Sequence, residues 1–230
     1  MKKLTALLIL LAILCLIVPT PGQDIIVPKR RPAAGGGAPA NFVNDTFTET
    51  TDTAYGSHTP ELGGPVTLHP AYSAAATVDA TSDRVYPTGT TAYFYNATPT
   101  SADQCVHVDF YAASIISVNI SIGLRMSTTS DDMYLFQLNN GTQWRWIERL
   151  SGANGVLGAV STSNLPSVGG FTTVEACVTG SNLTVSFNGV HDTSMDRSST
   201  AITAAGRVGW RASGAASATT GFHLDNFSAR

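Results

Sequence analysis

Charged side chains are scarce in this sequence. Asp, Glu, Lys and Arg make up 13% of its 230 residues and sum to a net charge of -3, about half the usual charged share. The charges are scattered, which excludes a basic footprint for nucleic acid and an acidic tail. Sparse Lys and Glu also leave little material for long surface helices, so a helical bundle is excluded. Catalytic motifs are missing too: there is no Gly-x-Ser-x-Gly elbow, Walker A loop, His-Glu-x-x-His or Cys-x-x-Cys. The five histidines, His58, His69, His107, His191 and His223, stand far apart without zinc-ligand spacing.

Long apolar runs are absent except for one, Leu4 to Val18, which follows the basic Met1-Lys2-Lys3 and precedes PTPGQ. At about 15 residues it is shorter than the ~20 needed to span a bilayer. Residues 1–22 are therefore expected to be a signal peptide, cleaved near Gly22, where Thr20 and Gly22 supply small side chains. An uncleaved N-terminal anchor is the alternative. Cys15 is preceded by Leu14 rather than a small residue, so it reads as part of the apolar run and not as a lipid-attachment site. The expected location is secreted or at the cell surface, with no membrane span after cleavage. Residues 23–41, which open QDIIVPKRRPAAGGGAPA, cannot bury a core and are expected to form a linker.

Removing the signal leaves Cys105 and Cys177, an even count in an exported chain. In QCVHVDF, Val106, Val108 and Phe110 alternate with Cys105, His107 and Asp109. In TVEACVTG, Val174, Ala176 and Val178 alternate with Glu175, Cys177 and Thr179. Both cysteines sit in the polar register, and a disulfide between them is expected.

What is abundant is β signal. From residue 42 to 230 short segments with period-2 alternation follow one another: ATVDA, TAYFYN, CVHVDF, VNISIGLRM, MYLFQL, QWRWIERL, FTTVEACV, LTVSFNG, RVGWRA and FHLDNFSA. Turn clusters such as NNGT, SGANG, TGSN and SGAAS separate them. Many short strands and no helical spacing indicate an all-β sandwich or barrel.

DTFTETTDTAYGSHTPELGG, followed in order by VHVDF, SIGLRM, MYLFQL, QWRWIERL, the hairpin FTTVEACVTGSNLTVSFNG and the closing GRVGWRA and FHLDNFSA, resembles concanavalin A-like jelly-roll domains of the laminin-G-like kind. The resemblance covers essentially Asp45 to Arg230. It implies a two-sheet antiparallel β-sandwich with one concave sheet and with adjacent first and last strands, here Phe42-to-Phe47 and Phe222-to-Phe227. Glucanases of this superfamily carry a Glu-x-Asp-x-x-Glu strand, which is absent here; Glu148 and Glu175 are solitary. Calcium is common in the superfamily, and Asp131 and Asp132 are the candidate donors, with solvated turn residues as the plainer reading.

The segment QWRWIERL splits into Trp144, Trp146, Glu148 and Leu150 on one face and Arg145, Ile147 and Arg149 on the other. Burying both indoles hides the larger apolar area, each aromatic being worth a few kcal/mol. The tryptophans are thus expected to face inward; the alternative has them open on the surface, stacking on a sugar ring. Arg145 and Arg149 then face outward, and Arg125 joins them if SIGLRM lies in the same sheet. Such arginines suit sugar hydroxyls or carboxylates, or else satisfy loop carbonyls. The expected function is a secreted, non-catalytic module that binds a glycan or polysaccharide. The alternatives are a structural or adhesive module with a protein partner at the cell surface, or a glycoside hydrolase.

Overall fold

The computed structural model describes residues 40–230; the expected signal peptide and nearly all of the linker lie outside the described residues. In chain order the first strands are β1 (Val43–Asp45), β2 (Thr53–Ala54), β3 (Val66–Leu68), β4 (Ala76–Asp79), β5 (Arg84–Pro87) and β6 (Thr91–Tyr95). Longer strands follow: β7 (Gln104–Ala112), β8 (Asn119–Met126), β9 (Met133–Asn139), β10 (Gln143–Leu150), β11 (Ala153–Ser161), β12 (Phe171–Thr179) and β13 (Asn182–Phe187). Two short strands, β14 (Val190–His191) and β15 (Arg197–Ser198), precede β16 (Arg207–Ser213) and β17 (Phe222–Ala229). No helix among the described residues is long and apolar enough to cross a membrane.

The strands form two antiparallel sheets. One runs β14-β13-β12-β7-β17-β5-β4-β2, with β1 on β17 and β15 on β13; the other runs β11-β10-β9-β8-β16-β6-β3. In the ten-stranded sheet the first strand pairs with the last, β1 with β17, Val43 standing opposite Ala229, as the patterns at the two ends of the domain imply. The hairpin of β12 and β13 turns between Thr179 and Asn182. Strand β11 is not foreshadowed by the sequence pattern, because its Gly- and Ala-rich run ANGVLGAVS shows no alternation.

Alternation puts the core between the sheets. Val106, Val108 and Phe110 of β7 meet Tyr134, Phe136 and Leu138 of β9 and Trp144 and Trp146 of β10 in one buried cluster. Both indoles are 0% exposed, stacked on or edge-on to Phe136. The inward reading therefore holds, and neither ring has a face open for stacking on a sugar. A second, smaller core lies on the other face of the seven-stranded sheet, where Ala92, Phe94, Met126, Met133, Leu135 and Ile147 are buried beneath Tyr72.

Cys105 and Cys177 are directly opposed on β7 and β12 and form a disulfide, with Cα atoms 4.1 Å apart. The backbone of Cys105 exchanges both its hydrogen bonds with Arg230 on the opposite side. The bonded cysteines therefore occupy a non-hydrogen-bonded pair, the closer of the two antiparallel arrangements.

Candidate functional site

The expected arginine patch separates into three environments. Arg125 does not join the outer face. A left-handed backbone (φ 47°) at this residue breaks the alternation of β8 and turns the side chain toward the loops. Its guanidinium donates to the carbonyls of Ala102 (2.8 Å), Ile202 (2.6 Å) and Gly180 (2.8 Å), and the residue is 2% exposed. Arg125 is thus chiefly a loop organiser, its guanidinium taken up by three carbonyls. Arg149 is on the outer face but engaged. It grips Asp131 through Nε (2.9 Å) and Nη2 (2.5 Å) and donates from Nη1 to Asn154 (2.7 Å).

Arg145 remains the most available of the three. It lies in a polar row across the outer face of the seven-stranded sheet: Arg145 opposite Gln137, Gln137 opposite Ser121, Ser121 opposite Arg211. Arg145 Nε donates to Gln137 Oε1 (2.8 Å), and Gln137 Nε2 donates to Ser121 Oγ (3.1 Å). Gln137 and Ser121 are buried, so this row mainly satisfies itself. Arg211 donates to the Tyr72 hydroxyl (2.7 Å), which in turn donates to Asp131 (3.0 Å).

Asp131 and Asp132 are held by protein groups. Burial alone would raise the Asp131 pKa, but the hydrogen bonds and charge of Arg149 and the Tyr72 hydroxyl bring it below the ordinary value. Asp132 accepts from Ser130 Oγ (2.6 Å) and Ser151 N (2.5 Å), and these bonds lower its pKa. Among the described residues the one group of three potential metal ligands in close reach is Cys105, Glu175 and Cys177, where both thiols are consumed by the disulfide. Glu148 sits at the core edge and accepts from Ser199 Oγ, while Glu175 pairs with Arg230.

A concave site does form, at one end of the sandwich. Residues Arg125 to Thr128, Ser130, Asp132, Leu150, Thr98-Pro99 and the 201–207 segment line an open cavity of ≈ 540 Å³, within the range of small-ligand sites. Its wall is rigid for identifiable reasons. Arg125 holds the Ile202 carbonyl, and the Tyr134 hydroxyl accepts from Ile202 N (3.0 Å). Gly206 is required there, since a Cβ would overlap the Arg125 backbone. Hydroxyls of Ser127, Thr128, Ser130 and Thr203 share the cup with the Asp132 carboxylate and the Arg207 guanidinium, beside apolar Leu150 and Pro99. Arg207 Nη1 donates to Thr98 Oγ1 (2.6 Å). The cup thus offers donors, acceptors and short apolar faces to one ligand. Sequence reading missed it, apart from Asp132 and Arg125. Alternation in RVGWRA does point Arg207 and Arg211 away from the core, but nothing local marks the 201–207 wall.

The layered arrangement can be set beside known structures. A carbohydrate-binding module of Bacillus subtilis, CBM66, superposes with a TM-score of 0.51 at 12% identity, over 71% of this chain and 89% of that one. The Bacillus licheniformis β-glucanase gives 0.53 at 8% identity, over 85% and 98%. The exoplasmic/lumenal domain of VIP36 in its Ca2+-bound form gives 0.52 at 9% identity, over 81% and 90%. The fold is the concanavalin A-like jelly roll. At these identities the likeness concerns fold alone. No protein-family model and no curated protein matches the sequence. As a jelly roll, the chain keeps both sheets open and antiparallel, and its cup is built from the loops at one end of the seven-stranded sheet.

Proposed function

We propose that this lectin-like sandwich is an exported, non-catalytic carbohydrate-binding module that takes a glycan into the loop-end cup. The observation that carries the reading is the cup's lining: a hydrogen-bonded wall presenting hydroxyls, one carboxylate and two arginines, Arg125 and Arg207, beside small apolar side chains. A sugar offers the complementary set, with hydroxyls that donate and accept and C–H faces between them. The names of the structural neighbours, a carbohydrate-binding module and a glucanase among them, agree with this ligand class. Glycoside hydrolysis uses two carboxylates, and the cup is lined by one, Asp132. The Cys105–Cys177 bond suits an oxidising compartment and so supports export. Of the arginines on the sheet face, Arg145 stays as a subsidiary contact.

Glycan-array and polysaccharide pull-down measurements on the wild type and on Arg207→Ala test the proposal. Binding to a defined glycan that falls at least ~10-fold in the variant, a loss of about 1.4 kcal/mol, is the expected result. Equal binding by both proteins removes the cup from the reading. A structural or adhesive role is favoured by a different observation: β11 is an edge strand whose Val156 and Val160 are 49% and 43% exposed, a surface suited to protein contact.

A further inference from the structure

The outer face of the ten-stranded sheet carries a strip of rings. Phe171 opens β12, is 51% exposed, and packs against Tyr111 of β7 with centroids 4.8 Å apart. Tyr111 continues to His223 of β17 at 5.7 Å, and His223 to Tyr86 of β5 at 5.4 Å. These four strands are neighbours, so the strip is about 14 Å long at ~4.8 Å per strand.

Polar groups beside the strip are left incomplete by the fold. The Arg84 guanidinium lies 3.7 Å over the Tyr111 ring. Among the described residues its Nε is buried with no hydrogen-bond partner, and so is Nδ1 of the fully buried His223. Asp225 and Asp109 are directly opposed on β17 and β7, a like-charge pairing that destabilises a sheet. Asp109 is held by Thr173 Oγ1 (2.5 Å) and Asn226 Nδ2 (3.0 Å). Burial pushes the Asp225 carboxyl up to about 6, with the charge of Asp109 adding to the rise. A purely structural strip would tuck Phe171 inward and give Arg84 an acceptor. Instead an exposed ring and a carboxylate pair lie on one face, beside a guanidinium whose buried Nε is unpaired inside the fold.

We propose that this face is a second carbohydrate-binding surface. It seats a neutral polysaccharide chain along the strip, with one sugar ring on Phe171, hydroxyls donating to Asp109 and Asp225, and hydroxyl oxygens accepting from Arg84. The aromatic face takes the sugar's C–H side, and the charged groups form the stronger class of hydrogen bond. The surface belongs to the sheet that does not line the cup and does not depend on it. One molecule would then grip a polysaccharide at two places and gain avidity wherever the chain reaches both.

Isothermal titration with neutral hexasaccharides of glucose, mannose and fructose tests this on four proteins: wild type, Phe171→Ala, Arg207→Ala and the double variant. The expected result is that binding surviving in Arg207→Ala falls at least ~10-fold when Phe171→Ala is added, about 1.4 kcal/mol. Arg84→Gln should lose the same binding and serves as the second probe should Phe171→Ala melt early. Isotherms of Phe171→Ala and Arg84→Gln that superimpose on their parents overturn the proposal, as does the absence of heat with all three sugars. Loss confined to Arg207→Ala keeps the cup and removes this surface, and loss confined to Phe171→Ala does the reverse.

Discussion

At the scale of single residues, the two tryptophans and their arginine neighbours divide stability from recognition. Trp146 is fully buried against Phe136, so Trp146→Ala should destabilise the domain by ~3–5 kcal/mol, as large aromatic truncations do. Arg145→Ala removes one hydrogen bond to the buried Gln137 while opening that amide to water on the outer face, and should shift the melting temperature far less than Trp146→Ala. Thermal melts of the two variants check both, and a Trp146→Ala protein that melts like the wild type would contradict the inward packing. This split was legible, because alternation in QWRWIERL and the area of an indole decide the orientation. The fate of Arg125 was not, since it turns on a left-handed φ at a non-glycine residue, which no side-chain pattern announces.

His58 is the second residue with a measurable consequence. It is buried between two carboxylates, Nε2 at 2.7 Å from Asp45 and Nδ1 at 2.7 Å from Glu49. Asp45 also accepts from the Tyr95 hydroxyl (2.8 Å) and from Phe47 N (2.9 Å), so the cluster fastens β1 and the turn after it. Burial works to lower the His58 pKa, but the hydrogen bonds and charges of Asp45 and Glu49 raise it above its ordinary value. A histidine whose folded pKa is raised stabilises fully below its unfolded pKa of ~6.5, and that stabilisation is lost as pH rises through the folded value. Melting temperatures of wild type and His58→Gln should therefore converge as pH climbs past about 6.5. A difference that stays constant across that window would show the cluster is not titrating there.

At the scale of elements, the edge strand β11 shows how the sandwich protects an open border. Its residues carry no charge and no proline, which leaves the edge without the usual guards. Protection comes from the other sheet. Arg197 of β15 donates from Nε to the Leu157 carbonyl (2.8 Å) and from Nη2 to the Ala159 carbonyl (2.7 Å). Gly158 allows the approach, with φ at +69° and no Cβ to meet the arginine. Arg197→Ala should free both carbonyls and promote self-association, seen as concentration-dependent sedimentation. A variant that stays as monodisperse as the wild type would show the plug to be dispensable. Most strands were readable from alternation, and the β12–β13 hairpin from its turn cluster. The edge strand was hidden because small residues exposed on both faces leave no periodic signal.

At the scale of the whole molecule, the disulfide spans a sequence separation of 72 residues and ties β7 to β12 within the ten-stranded sheet. By chain entropy such a closure contributes up to about 4 kcal/mol. Cys105→Ser/Cys177→Ser should accordingly unfold at lower denaturant concentration with the same fold, and an unchanged midpoint would mean the sheet already supplies that order. The pairing was legible because both cysteines fall in the outward register of strands that the pattern identifies. The cup was not, because its walls come from residues 98–99, 125–128, 130, 132, 150 and 201–207, stretches far apart in the chain that meet only when β6, β16, β8, β9 and β10 pair in one sheet.

The cup as the seat of glycan binding is tested most directly by amide chemical-shift mapping on the isotopically labelled protein, titrated with the oligosaccharide that the array identifies. Saturable shifts are expected at Ser127 to Ser130 and Ala201 to Arg207, and they should vanish in Arg207→Ala. A bound oligosaccharide that leaves those amides unmoved would contradict the reading.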